Sequence, residues 1–201
     1  MAFPPLFRRW VVWVFWLGFV AQAQALSFST VILDAGHGGH DGGAAWHGLV
    51  EKRLCLDVAQ RVERILKARG VRVVMTRRTD AFVALDARAQ VANRYSRSVF
   101  VSIHFNANRK TSIHGMEGYY RSAAGKTLAR SVLRSMDRRV TGLNRGVFNR
   151  NFKVLRSTKM PATVIECGYL SNRTEAKRCG SAAHRQAIAE GIAAGIMATR
   201  G

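Results

Sequence analysis

Short apolar runs alternate with amphipathic stretches along most of this 201-residue chain, and that alternation leaves few folds open. Residues 28–33, 71–75, 99–104, 116–121 and 163–166 are four to six residues long, and most are rich in Val, Ile or Phe, as buried strands are. Between and after them lie helical patterns. In 51–68, Leu54, Val58, Val62, Ile65 and Leu66 recur at helical spacing and Gly70 follows as a stop. Residues 85–93, 125–140 and 182–198 read the same way. Strand alternating with helix predicts an α/β fold: a single domain with a twisted, mostly parallel sheet flanked by helices on both faces. No Pro/Ser-rich linker or internal repeat divides the chain, and its length suits one core.

The first 25 residues stand apart. Arg8 and Arg9 give a basic start, residues 10–20 are apolar, and Ala21-Gln22-Ala23 and Ala23-Gln24-Ala25 both have the small-x-small form of a cleavage site. The apolar run is shorter than the roughly 20 residues a membrane span requires. A signal peptide over 1–25 is the reading, with cleavage after Ala25 or after Ala23. It implies an exported protein, periplasmic or extracellular at the cell wall, with no stable membrane anchor after cleavage. The mature domain is then 26–201.

Export also changes what the charge means. The chain carries a formal +20, and the first 25 residues hold two arginines and no acid, which leaves +18. Such a field attracts polyanions. For an exported protein the expected partners are anionic envelope polymers and not nucleic acid. With 48% hydrophobic and 22% charged residues the chain is globular, not disordered. Cys55, Cys167 and Cys179 permit one disulfide and one free thiol, and their spacing matches no zinc–thiolate pattern.

In an open α/β sheet, ligands sit beyond the carboxyl ends of the strands. The stretch VILDAGHGGHDGGA places His37 just past the first strand. VSIHFNA ends the third with His104, and TVIECGYL ends the fifth with Glu166. Glu51 opens a helix, and helices start at the same rim. His37, Glu51 and His104 therefore form a candidate set for one zinc ion, Zn2+: two neutral imidazoles and a carboxylate, with water in the fourth position. Glu166 is the candidate catalytic general base, a second carboxylate free to accept the water's proton. Glycines at 36, 38 and 39 allow the sharp turn that carries His37. His40, His47 and His114 read as loop histidines. Cys167 neighbours Glu166 along a strand and so points to the opposite face.

Taken together, these stretches resemble the catalytic domain of the zinc-dependent N-acetylmuramoyl-L-alanine amidases, the amidase-3 family of cell-wall hydrolases. The matching segments are VILDAGHGGHDGGA, Glu51-Lys52, TRRTD with Arg88, VFVSIHFNA, MEGYYR, NRGVF with FKVLR, and MPATVIECGYLSN. The resemblance implies peptidoglycan as substrate and the amide between N-acetylmuramic acid and the first L-alanine of the stem peptide as the bond cleaved. It implies His37, Glu51 and His104 as zinc ligands and Glu166 as the catalytic glutamate. Some members carry a long helical insertion that blocks the metal until a partner activates them. Residues 120–144 have room for one ordinary helix, so a monomer that needs no activator is expected. The same metal chemistry would serve a zinc peptidase or carboxypeptidase acting on stem peptides. A cationic wall-binding protein without activity is the other alternative.

Overall fold

The computed structural model describes residues 25–201. The signal-peptide reading thus lies, save for Ala25, outside the described residues. Six strands form one sheet: β1 (Thr30–Ala35), β4 (Arg72–Met75), β5 (Ser98–Asn106), β6 (Met116–Tyr120), β7 (Asn144–Asn149) and β8 (Ala162–Tyr169). Their order is β4-β1-β5-β8-β6-β7, and β2 (Ala45–Trp46) pairs with β3 (Leu49–Val50) in a separate small hairpin. Every neighbouring pair in the large sheet is parallel except β6 with β8. The fold expected from the alternation is the fold found.

The apolar runs are apolar because both faces of the sheet are covered. All six residues of β1 are buried. On one face, Val31, Leu33, Val99, Val101, Ile103 and Ile165 pack in the larger cluster. Helices α1 (Glu51–Lys67), α3 (Ala123–Asp137) and α6 (Ala182–Met197) cover that face, contributing residues such as Val58, Val132 and Ile192. On the other face, Ile32, Phe100, Tyr119 and Val164 meet Ala92 of α2 (Leu85–Asn93) and Val154 and Leu155 of α4 (Lys153–Ser157). This second layer is thinner, and it leaves the polar ends of β5 and β8 open to a groove.

Helix α3 is the one helix between residues 120 and 144, and it packs on the face of the sheet away from that groove. No helix of the described residues is long and apolar enough to cross a membrane. Cys55, Cys167 and Cys179 are all buried free thiols, so the disulfide that the odd count permitted does not form.

Candidate active site

The loop after β1 is built around buried charge. Asp34 closes the apolar run and is 1% exposed. Its carboxylate accepts from Thr76 Oγ1 at 2.6 Å, Arg88 Nη1 at 2.8 Å and Ser102 Oγ at 2.7 Å. Burial alone would raise its pKa, but the Arg88 guanidinium and the two hydroxyls more than offset this and hold the carboxyl below the usual range. Arg77 and Arg88 then clamp the next carbonyls. Arg77 Nε donates to Ala35 O at 2.9 Å and its Nη2 to Gly36 O at 2.6 Å, while Arg88 Nη2 donates to His37 O at 2.8 Å.

His37 leaves this clamp in the left-handed region, with φ +58°. The turn therefore falls on the histidine itself as well as on Gly38 and Gly39. Gly36 matters for a different reason: a Cβ there would lie 2.3 Å from the His104 ring. At Gly43, a Cβ would lie 2.5 Å from Glu51 Oε2 and 2.6 Å from the His37 ring. Two positions without side chains thus make room for three that converge.

That convergence is tight. His37 Nε2 lies 3.0 Å and His104 Nδ1 2.9 Å from the same oxygen, Glu51 Oε1. One ligand atom from each residue falls within 4.8 Å of the others. Glu51 starts α1 and is buried; its Oε2 accepts from Ala44 N at 2.8 Å and its Oε1 from Phe105 N at 3.1 Å. His37 Nδ1 is 2.8 Å from Asp41 Oδ1, an outer partner that orients the ring. Two nitrogens and a carboxylate oxygen aimed at one point, around a cradle that a Cβ would fill, fit a divalent metal such as zinc.

Electrostatics agree with the geometry. Burial works against charge on His104, yet the Glu51 hydrogen bond and the negative charges of Glu166, Glu51 and Asp34 push its pKa up to about 9. His37 is raised for like reasons, with Glu51 again outweighing burial. Burial raises Glu51, but hydrogen bonds from both imidazoles overcome it and pull its pKa far down.

Glu166 sits beside this cluster, paired in register with His104 across β5 and β8. Its Oε2 is buried and has no hydrogen-bond partner among the described residues. Burial pushes its pKa up to about 7; His104 pulls it down, while Glu51 and Glu117 add to the rise. The cluster and Glu166 line a groove of ≈ 430 Å³ that also includes Leu85, Asn106, Phe152 and Val164. Of the other sequence candidates, His40 lies against the Phe82 ring at 4.1 Å and His47 Nε2 is 3.3 Å from Ser171 O. Cys167 packs in the core on the opposite face, with its thiol raised well above its usual range by burial.

Residues 31–198 match the family described as N-acetylmuramoyl-L-alanine amidase. The chain belongs to this amidase-3 family. It is 34% identical over 172 residues to the N-acetylmuramoyl-L-alanine amidase LytC of Bacillus subtilis, a match covering 84% of this chain and 35% of LytC. Among solved structures it resembles the amidase AmiC2 of Nostoc punctiforme at 38% identity and a TM-score of 0.81, covering 84% of this chain and 95% of that one. The catalytic domain of CwlV, from Bacillus (Paenibacillus) polymyxa, aligns at 37% identity and a TM-score of 0.82, covering 85% and 97%. The chain thus spans about a third of LytC and nearly all of the solved amidase domains.

Sequence reasoning picked the residues that converge and passed over those that hold them. Asp41, Arg77, Glu117 and Arg145 were not singled out for any role at the site. Asp41 and Arg77 lie in polar loops with no periodic signal, and the pairing of Glu117 on β6 with Arg145 on β7 depends on which strands are neighbours.

Proposed function

We propose that this protein is a zinc-dependent N-acetylmuramoyl-L-alanine amidase. It hydrolyses the amide that joins the lactyl group of N-acetylmuramic acid to the L-alanine of the peptidoglycan stem peptide. The observation that carries this reading is the unpartnered, buried Glu166 Oε2 beside the His37–Glu51–His104 cluster. A carboxylate left without a partner in the interior is costly unless a ligand or water completes it.

His37, Glu51 and His104 would hold the ion, which when bound polarises the scissile carbonyl and acidifies a water. Glu166 accepts the proton of the attacking water at Oε2. The water oxygen bonds to the carbonyl carbon, the C–N bond breaks, and Glu166 returns the proton to the departing alanine nitrogen. Burial, which raises the Glu166 pKa, suits a group that must both take and give a proton. The Arg77 and Arg88 clamps fix His37 before substrate arrives. The signal peptide read at 1–25 directs the mature domain out of the cytoplasm to the periplasm or the cell wall. There it acts as a monomer without an obligatory activator, a reading supported by the position of α3 away from the groove.

The test is to incubate the mature domain with purified sacculi and identify released fragments by mass spectrometry. Free stem peptides with an L-alanine amino terminus are expected, lost with a chelator and restored by zinc. Glu166→Gln should bind zinc as the wild type does and lose about 10²–10⁴ in turnover. Cleavage within the peptide would instead indicate a peptidase, and an undiminished Glu166→Gln variant would remove Glu166 from the mechanism.

A further inference from the structure

Beyond the candidate metal cluster, the same sheet face continues as a row of charged groups across four adjacent strands. His104 on β5 pairs with Glu166 on β8, and Glu166 pairs with Glu117 on β6. Arg145 on β7 donates from Nε to Glu117 Oε1. Directly paired residues of neighbouring strands project to the same face, and Arg145, which sits at the irregular β6–β7 register, joins the row through its hydrogen bond to Glu117, so the row runs imidazole, carboxylate, carboxylate, guanidinium.

Glu117 is buried and saturated. Its Oε2 accepts the Tyr119 hydroxyl, and its Oε1 accepts the Tyr169 hydroxyl at 3.0 Å besides Arg145. It has no free lone pair aimed at a substrate, and acts as an anchor. What it anchors is a third exposed. The Arg145 guanidinium lies 5.8 Å from the centre of the Tyr169 ring, and its Nη1 reaches His114 O at 3.4 Å. Its Nη2 makes no hydrogen bond among the described residues. A planar cation is thus gripped through one edge and one face, with donors to spare.

Resting on the amidase reading above, the position of this cation decides which part of the substrate it meets. On that reading His37, Glu51 and His104 would hold an ion that polarises the scissile carbonyl, and Glu166 would protonate the departing nitrogen, so the leaving peptide runs on past Glu166, along the row. Strands are spaced at about 4.8 Å, and an extended peptide advances roughly 3.3–3.6 Å per residue. A guanidinium held over Glu117, one strand beyond Glu166, therefore faces the second residue of the stem peptide. Guanidinium forks match carboxylates in shape and charge. We propose that Arg145 is a specificity-determining residue that binds a free carboxylate on the second residue of the stem peptide, with Glu117 as its positioning residue.

The experiment compares two soluble substrates: a muramoyl-L-alanyl peptide whose second residue bears a free carboxylate, and the same molecule with that carboxylate converted to a carboxamide. The wild type should favour the acid by about tenfold or more in kcat/KM, mostly through KM, as a charge-assisted contact would give. Arg145→Gln, which keeps a planar donor but no charge, should bring the two substrates within about twofold; Arg145→Lys should keep an intermediate preference. A merely structural role would depress both substrates alike and leave their ratio unmoved, which overturns the proposal. So does a wild type indifferent to the carboxylate, a result that needs no variant to fold. A wild type that hydrolyses neither molecule overturns the amidase reading itself, and the role of Arg145 falls with it.

Discussion

His37 holds a backbone conformation that a side-chain-bearing residue adopts at a cost of about 1–3 kcal/mol. Its carbonyl is fixed by Arg88 and its ring by Asp41, so neighbouring side chains hold that geometry. Both imidazoles have raised pKa values, His104 to about 9, because they share a buried carboxylate. A zinc ion bound as proposed by His37, Glu51 and His104 would have to displace those protons. Its affinity should therefore rise with pH through neutrality and level off above about 9. Calorimetry at pH 7 in two buffers of different ionisation enthalpy should show protons released on binding, and fewer released at pH 9.

At the scale of elements, the junction of β1, β4, β5 and α2 rests on Asp34 and Arg88, 1% and 2% exposed. Asp34→Asn would leave the Arg88 charge buried without its anion, at a cost of about 3–5 kcal/mol. The sign with pH follows from the lowered pKa of Asp34. A carboxylate depressed in the folded state stabilises fully above its unfolded value near 4, and that contribution is lost as pH falls through the folded value. Urea titrations should show the gap between wild type and Asp34→Asn narrowing below about pH 4. Such joints also mark where sequence reading ended. The apolar strands were legible from their runs, and α1 from its Leu54–Val58–Val62 stripe. Strand β7, NRGVFN, was not, because it lies at the sheet edge with no buried residue and only Val147 and Phe148 as apolar side chains. Helix α4 has five residues and α5 (Arg173–Gly180) buries only Glu175, Ala176 and Cys179, too little for a period to emerge. The converging quartet was legible because strand ends must share a rim. The arginine clamps and the Glu117–Arg145 pair were not, because they depend on which strands are neighbours.

For the whole molecule, exposed arginines stand on both sides of the sheet: Arg130 and Arg134 on α3 and Arg138 just after it, and Arg94, Arg150 and Arg156 around α2 and α4. A polyanion held by the α3 arginines would leave the groove clear. Binding to sacculi should weaken steeply as salt shortens the Debye length below about 10 Å, while kcat on a small uncharged substrate should change little. Co-sedimentation across a salt series checks the first and a soluble assay the second; binding that ignores salt would count against the electrostatic account.

The three buried thiols bear on how such a molecule can be made. With no cystine in the described structure, nothing in the native topology waits on an oxidant, and no mispaired bridge has to be reshuffled on the way to it. The domain can reach the same end state in a reducing cytosol as in an oxidising envelope. Its folding then depends on no thiol oxidase.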